Sequence, residues 1–132
     1  MKLFLKVIIL LFFSVAPTLT NAIDLSFKSI DGGSLDIKAY EGKAVLVANT
    51  ASRCGFTNQY SNLEKLHRSY KAKGLVVIAV PSNDFNQELS SNSKVKEFCD
   101  ISFDLTLPMT EITSVRGKSA HPFYNWLKKE HN

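Results

Sequence analysis

Two short apolar runs decide most of what this chain can become. Ala44-Val45-Leu46-Val47-Ala48 is the first and Leu75–Val80 is the second. Both contain valine, whose branched side chain favours extended backbone. Both are continuous rather than alternating, which predicts strands covered on both faces, as in a parallel sheet flanked by helices. Between them Tyr60, Leu63, Leu66, His67 and Tyr70 recur at helical spacing, and Gly74 suits the residue after a helix end. The spacing predicts a helix over Asn58–Lys73 and, with the two runs, a βαβ unit. Active groups in such sheets gather at the carboxyl ends of the strands. One end leads into the Cys54 turn and the other into Pro81–Asn92, so these two loops are expected to meet.

The first loop carries chemistry. After the break at Asn49-Thr50-Ala51-Ser52 come Arg53, Cys54 and Gly55, and Thr57 or Asn58 is a candidate cap for the following helix. Cys54 is therefore expected between a buried strand and a helix N-terminus. The N-terminal end of a helix carries roughly half a positive charge, and Arg53 adds a full one. Both favour thiolate, the reactive form of cysteine. Cys99 is the second cysteine. Read from the residues alone, a structural disulfide between the two stays open.

The rest of the chain supplies one small domain. Residues 1–22 stand apart from it. Lys2 and Lys6 form a short positive region, Val7–Phe13 is uninterruptedly apolar, and Ser14–Ala22 is small and polar. That is the layout of a secretory signal peptide cleaved after Ala22, which implies a secreted or periplasmic protein without stable membrane association once cleaved. An uncleaved anchor is the alternative, against which the apolar run is short. Cleavage removes two lysines, so the net charge of +4 falls to +2 without a basic patch, and nothing points to nucleic acid. Ile23–Phe27 and Leu35–Ile37 flank Asp31-Gly32-Gly33 and predict a hairpin. Ser93 is placed to cap a helix over Lys94–Asp100, whose apolar face holds Val95, Phe98 and Cys99. Leu105–Met109, containing Pro108, reads as an edge segment. His121-Pro122 opens a helix running to Glu130 with Phe123, Trp126 and Leu127 as its buried stripe. His67 falls on an apolar helix face and is read as packed or half-exposed, without a catalytic role. Three scattered histidines and two distant cysteines lack metal-ligand spacing, no haem motif is present, and no cofactor is expected.

The segment Ala51-Ser52-Arg53-Cys54-Gly55-Phe56-Thr57 with Gln59-Tyr60 resembles the active-site segment of the glutathione peroxidases, in the forms that use cysteine instead of selenocysteine. The second loop, Pro81-Ser82-Asn83-Asp84-Phe85-Asn86-Gln87-Glu88, resembles that family's second motif, although it is one residue short at the usual paired glycines and has Leu89 in place of the usual proline. The resemblance implies a thioredoxin-like three-layer α/β/α sandwich over residues 23–132, with an N-terminal hairpin. It implies that Cys54 is the peroxidatic residue and that Gln87 hydrogen-bonds its sulfur or the peroxide oxygen. Glu97-Phe98-Cys99 matches the place where two-cysteine members, commonly thioredoxin-dependent, carry the resolving cysteine. Family members continue with a Trp-Asn-Phe segment, a hairpin and a last helix. The resemblance therefore covers about two-thirds of a family domain, truncated at the C-terminus, and Trp126 is not the tryptophan of that segment.

The expected function is reduction of hydrogen peroxide or organic hydroperoxides, protecting against oxidative stress, with a thioredoxin-like or glutathione reductant. One rival is a catalytically weak remnant or binding module. Another is a thiol–disulfide oxidoreductase, disfavoured because Cys54 lacks the partner of a C-x-x-C motif.

Overall fold

The computed structural model describes residues 24–131; the signal-peptide reading of residues 1–22 lies outside the described residues. The βαβ unit is present. Strand β3 (Ala44–Thr50), helix α1 (Gln59–Tyr70) and strand β4 (Leu75–Pro81) follow one another, and the two strands pair in parallel from Ala44 opposite Leu75 to Thr50 opposite Pro81. A 3-10 turn over Lys71–Lys73 extends α1, and Gly74 closes it at φ 91°, a left-handed conformation that glycine adopts without steric cost. The helix thus fills the span expected of it. Its start differs: the Asn58 side chain makes no capping hydrogen bond, and the Thr57 hydroxyl turns back to the Cys54 backbone instead.

Before this unit a hairpin pairs β1 (Phe27–Lys28) with β2 (Ser34–Leu35) around Gly32 and Gly33, both at positive φ. It is shorter than the expected strands. Ile37, expected in the second strand, lies in a 3-10 turn, Ile37–Tyr40, because the Asp36 carboxylate accepts the Lys38 N–H at 2.9 Å and caps that turn. Helix α2 spans Asn92–Phe103, longer than the expected Lys94–Asp100. Ser91, not Ser93, is its cap, accepting the Lys94 N–H at 3.4 Å. Helix α3 spans Pro122–His131.

The Leu105–Met109 segment lies along β4 on the side away from β3. The Ala79 N–H donates to the Pro108 carbonyl at 2.9 Å and the Thr110 N–H donates to the Ala79 carbonyl at 3.0 Å. Ile30 donates its N–H to the Met109 carbonyl, which ties the hairpin to the same edge. β4 is therefore central. Val77 and Ala79 face Tyr60, Val95 and Cys99 under α1 and α2, whereas Val76, Ile78 and Val80 face Phe27 and Phe123. Helices cover both faces of a small sheet, which makes a three-layer α/β/α arrangement of thioredoxin-like kind.

β3 departs from the expectation of double coverage. Leu46 is 37% exposed, and no residue of the strand is fully buried, with Ala44, Leu46 and Asn49 exposed and the rest half-buried. Among the described residues β4 is its sole strand partner, so its outer edge is open.

Candidate active site

The parallel register sets Thr50 and Pro81 side by side, so the chain leaves the two strands at the same end of the sheet. Three contacts then stitch the loops together. The Ser82 N–H donates to the Thr50 carbonyl at 3.0 Å, the Arg53 N–H donates to the Gln87 carbonyl at 2.8 Å, and the Ser52 N–H donates to Glu88 Oε1 at 3.1 Å. The second loop is held in shape from within. The Leu89 N–H also donates to Glu88 Oε1, at 2.7 Å, and Asn83 Oδ1 accepts the Glu88 N–H at 3.1 Å. Asn86 sits at φ 56°, a left-handed conformation that asparagine tolerates better than most residues.

Cys54 lies in the turn ahead of α1, half-buried. Its own N–H donates to Thr57 Oγ1 at 3.0 Å, and the Phe56 N–H points at its sulfur, 3.5 Å away. The helix itself opens only at Gln59, beyond this turn, so the donor reaching the sulfur belongs to the turn and not to the helix's first turn. A cavity of about 130 Å³ opens beside Cys54, lined among others by Thr50, Phe56, Tyr60 and Leu63. Phe56 is 72% exposed at its mouth.

Gln87 is half-buried, and its backbone is fixed to Arg53, the neighbour of Cys54. Its side chain makes no hydrogen bond among the described residues, and Gln87 is not among the residues that line the Cys54 cavity. Cys99 is placed differently. It is fully buried on α2, packed with Tyr60, Val77, Ala79 and Val95, and does not line the Cys54 cavity. Both cysteines are free thiols, so the structure does not join them. Burial pushes the Cys99 thiol up to about 11, with the Glu88 and Asp100 charges adding to the effect. His67 is buried within α1, the packed one of the two settings expected of it, and Trp126 packs against Phe123 on α3 with the rings tilted at 44°. Among the described residues no cluster of histidine, cysteine and carboxylate groups suits a metal.

Sequence reasoning missed three members of this region. Glu88 clamps the two loops, and its only signal was an acidic residue directly after the motif glutamine. Asp84 reaches the other way, accepting from the Val115 and Arg116 N–H groups and from Ser114 Oγ. Burial opposes its charge, but these hydrogen bonds outweigh it and lower its pKa. Tyr60 both lines the Cys54 cavity and packs against the Cys99 cluster. Its place on the apolar stripe of α1 was legible, its role as the shared wall was not.

A small α/β/α sandwich with a cysteine in the turn after a parallel strand defines a protein of the thioredoxin-like fold. A thioredoxin-family thiol:disulfide interchange protein from Chlorobium tepidum has this fold at a TM-score of 0.57 and 17% identity, over 70% of this chain and 59% of that one. The chain belongs to the glutathione peroxidase family: residues 22–128 match the family model described as "Glutathione peroxidase". A glutathione peroxidase from Lactococcus lactis subsp. cremoris is 43% identical over 111 residues, which is 83% of this chain and 71% of the relative. The solved apo structure of Trgpx is 36% identical with a TM-score of 0.59. That match covers 82% of this chain but only 63% of Trgpx, so the chain spans less than two-thirds of its solved relative.

Proposed function

We propose that this chain is a thiol peroxidase that reduces hydrogen peroxide or organic hydroperoxides through Cys54. The Cys54 thiolate attacks one oxygen of the O–O bond, the other leaves as alkoxide or hydroxide and takes up a proton, and Cys54 becomes a sulfenic acid. The Gln87 amide, an N–H donor, holds the sulfur or the departing oxygen. Cys99 then condenses with the sulfenic acid, giving a Cys54–Cys99 disulfide and water. A dithiol reductant of thioredoxin-like type, or glutathione, restores both thiols by exchange. A disulfide needs its Cα atoms within about 7 Å, and Cys99 is locked in the core. Local unwinding of α2 around Cys99 is therefore part of this reading.

The observation that carries the proposal is the Phe56 N–H on the Cys54 sulfur beside a Gln87 loop bonded to Arg53, in a chain of this family. The layout of residues 1–22 supports export to a secreted or periplasmic location and a protective role there. Among the described residues no helix is long and apolar enough to cross a membrane. The test is consumption of hydroperoxide by the purified chain with and without Cys54. Consumption that persists in Cys54→Ser, or is absent from the unaltered chain, defeats the proposal. The second outcome favours the non-catalytic remnant.

A further inference from the structure

Thr57 stands where a residue caps α1, and it does not cap it. A threonine hydroxyl just ahead of a helix ordinarily accepts an N–H two or three residues further on. Here those donors go to backbone carbonyls, Gln59 to Phe56 and Tyr60 to Thr57. Asn58 makes no side-chain capping bond either. The Thr57 hydroxyl points backwards instead. It accepts the Cys54 N–H at 3.0 Å. Its one proton lies between the Cys54 carbonyl, 2.6 Å away, and the Ala51 carbonyl, 3.2 Å away. The Thr57 N–H also donates to the Cys54 carbonyl, at 3.1 Å. The hydroxyl therefore closes the Cys54 turn and ties it to the residue that follows β3. A forgone cap costs the helix stability, so the diversion calls for a reason.

We propose that Thr57 is a positioning residue for the peroxide step, its hydroxyl fixing the Cys54 backbone so that the sulfur stays beside the Phe56 N–H at the cavity. This rests on the reading of Cys54 as the attacking sulfur. A cysteine side chain has a single torsion before its sulfur, with three staggered wells. The backbone of Cys54 thus decides where the sulfur can be. Phe56, whose N–H lies 3.5 Å from that sulfur, directly precedes Thr57. Donor and sulfur are therefore held from the two ends of one closed turn. The same bond occupies the Cys54 N–H, so that group cannot swing toward an incoming oxygen without breaking the turn. Ala51, Cys54, Phe56 and Thr57 all line the cavity of about 130 Å³, which makes the turn one of its walls. Attack on an O–O bond needs sulfur and oxygen aligned, and small misplacements of a reacting atom are costly in rate.

The test is a single turnover with hydrogen peroxide, quenched at intervals and read as Cys54 sulfenic acid by intact mass. Iodoacetamide labelling of Cys54 is timed beside it, since that reagent approaches the sulfur from open solvent. Thr57→Val replaces the hydroxyl by a methyl group of similar shape. Its sulfenic step is expected to slow about tenfold, the order set by one lost hydrogen bond, with labelling by iodoacetamide unchanged. Thr57→Ser keeps the hydroxyl and is expected to restore the sulfenic step. A Thr57→Val chain as fast as the unaltered one overturns the proposal. So does equal slowing of peroxide and iodoacetamide, which a generally loosened or less ionised cysteine would give, and so does a Thr57→Ser chain as slow as Thr57→Val. Amide hydrogen exchange on the unaltered chain requires no variant to fold. The Cys54 N–H is expected to exchange more slowly than the N–H of exposed Gly55, each taken relative to its intrinsic rate; equal protection overturns the proposal. An unaltered chain whose Cys54 forms no sulfenic acid defeats the reading of Cys54, and the proposal with it, whereas the other adverse outcomes leave that reading in place.

Discussion

Cys54 and Cys99 are the same side chain in opposite settings. Cys54 lies in a turn, half open to solvent, with a backbone N–H on its sulfur and an aromatic side chain at the mouth of its cavity. Cys99 is sealed between α1, α2 and β4, and burial holds it protonated. The difference teaches how one fold can give two cysteines different access and different surroundings without any difference in the residue. Loops at strand ends offer backbone donors and access, whereas a helix facing the sheet offers burial among mainly apolar side chains.

The largest effect that tests this contrast is loss of the Cys54 sulfur. Cys54→Ser is expected to reduce hydroperoxide consumption to background, while Cys99→Ser retains a full first turnover and leaves Cys54 as sulfenic acid or overoxidised, both read by intact mass. A Cys99→Ser chain that shows no first turnover would reverse the assignment. Next is the Gln87 amide. Gln87→Ala is expected to lower the rate of the peroxide step about 10²–10³-fold, as for other sites that lose one positioned donor, with the disulfide step changed far less in single-turnover traces. Smaller again is the difference in access. Iodoacetamide is expected to modify Cys54 promptly in the native chain and to reach Cys99 only as denaturant opens the core; equal labelling of the two would erase the contrast.

The smallest effect is thermodynamic. A thiol ionising near 9 when unfolded and near 11 when folded stabilises the native state below pH 9, and that contribution is lost as pH rises through 11. Denaturant melts at pH 8 and pH 10.5 are expected to differ by up to about 2 kcal/mol more in the unaltered chain than in Cys99→Ala. Tyr60, raised for the same reason of burial, adds a slope of the same sign that both proteins share.

Much of this was written in the sequence, and the exceptions have physical causes. Ala44–Ala48 and Leu75–Val80 read alike, yet β4 is buried on nearly every residue and β3 is not. Burial of a strand depends on what pairs and packs beside it, and an apolar run does not report its neighbours. Helix α1 was legible from its stripe, but Glu64 on the same helix was not. It is buried, accepting from the Thr106 and Leu107 N–H groups, the Thr106 hydroxyl and Arg68. Arg68 lies one helical turn on, but Thr106 and Leu107 lie some forty residues on, and local periodicity carries no trace of them. In the site, Cys54 and Gln87 stood out because their motifs are specific. Glu88 and Tyr60 passed as an ordinary loop charge and an ordinary core aromatic, since what distinguishes each is the pair of regions it joins.

The register of the parallel pair has a further consequence, in the order of assembly. Every paired position from Ala44–Leu75 to Thr50–Pro81 has the same sequence separation. One loop closure, spanned by α1, therefore forms all seven pairs and brings the Cys54 turn and the Gln87 loop together in the same event. The entropic cost of closure grows only slowly with loop length, by about 0.6 kcal/mol per doubling. Residues inserted after α1, in the Lys71–Gly74 connection, would thus slow the search for that closure while leaving the finished site nearly unchanged. The register that pairs the strands is the one that brings the two loops together, so a sheet folded in this register carries both.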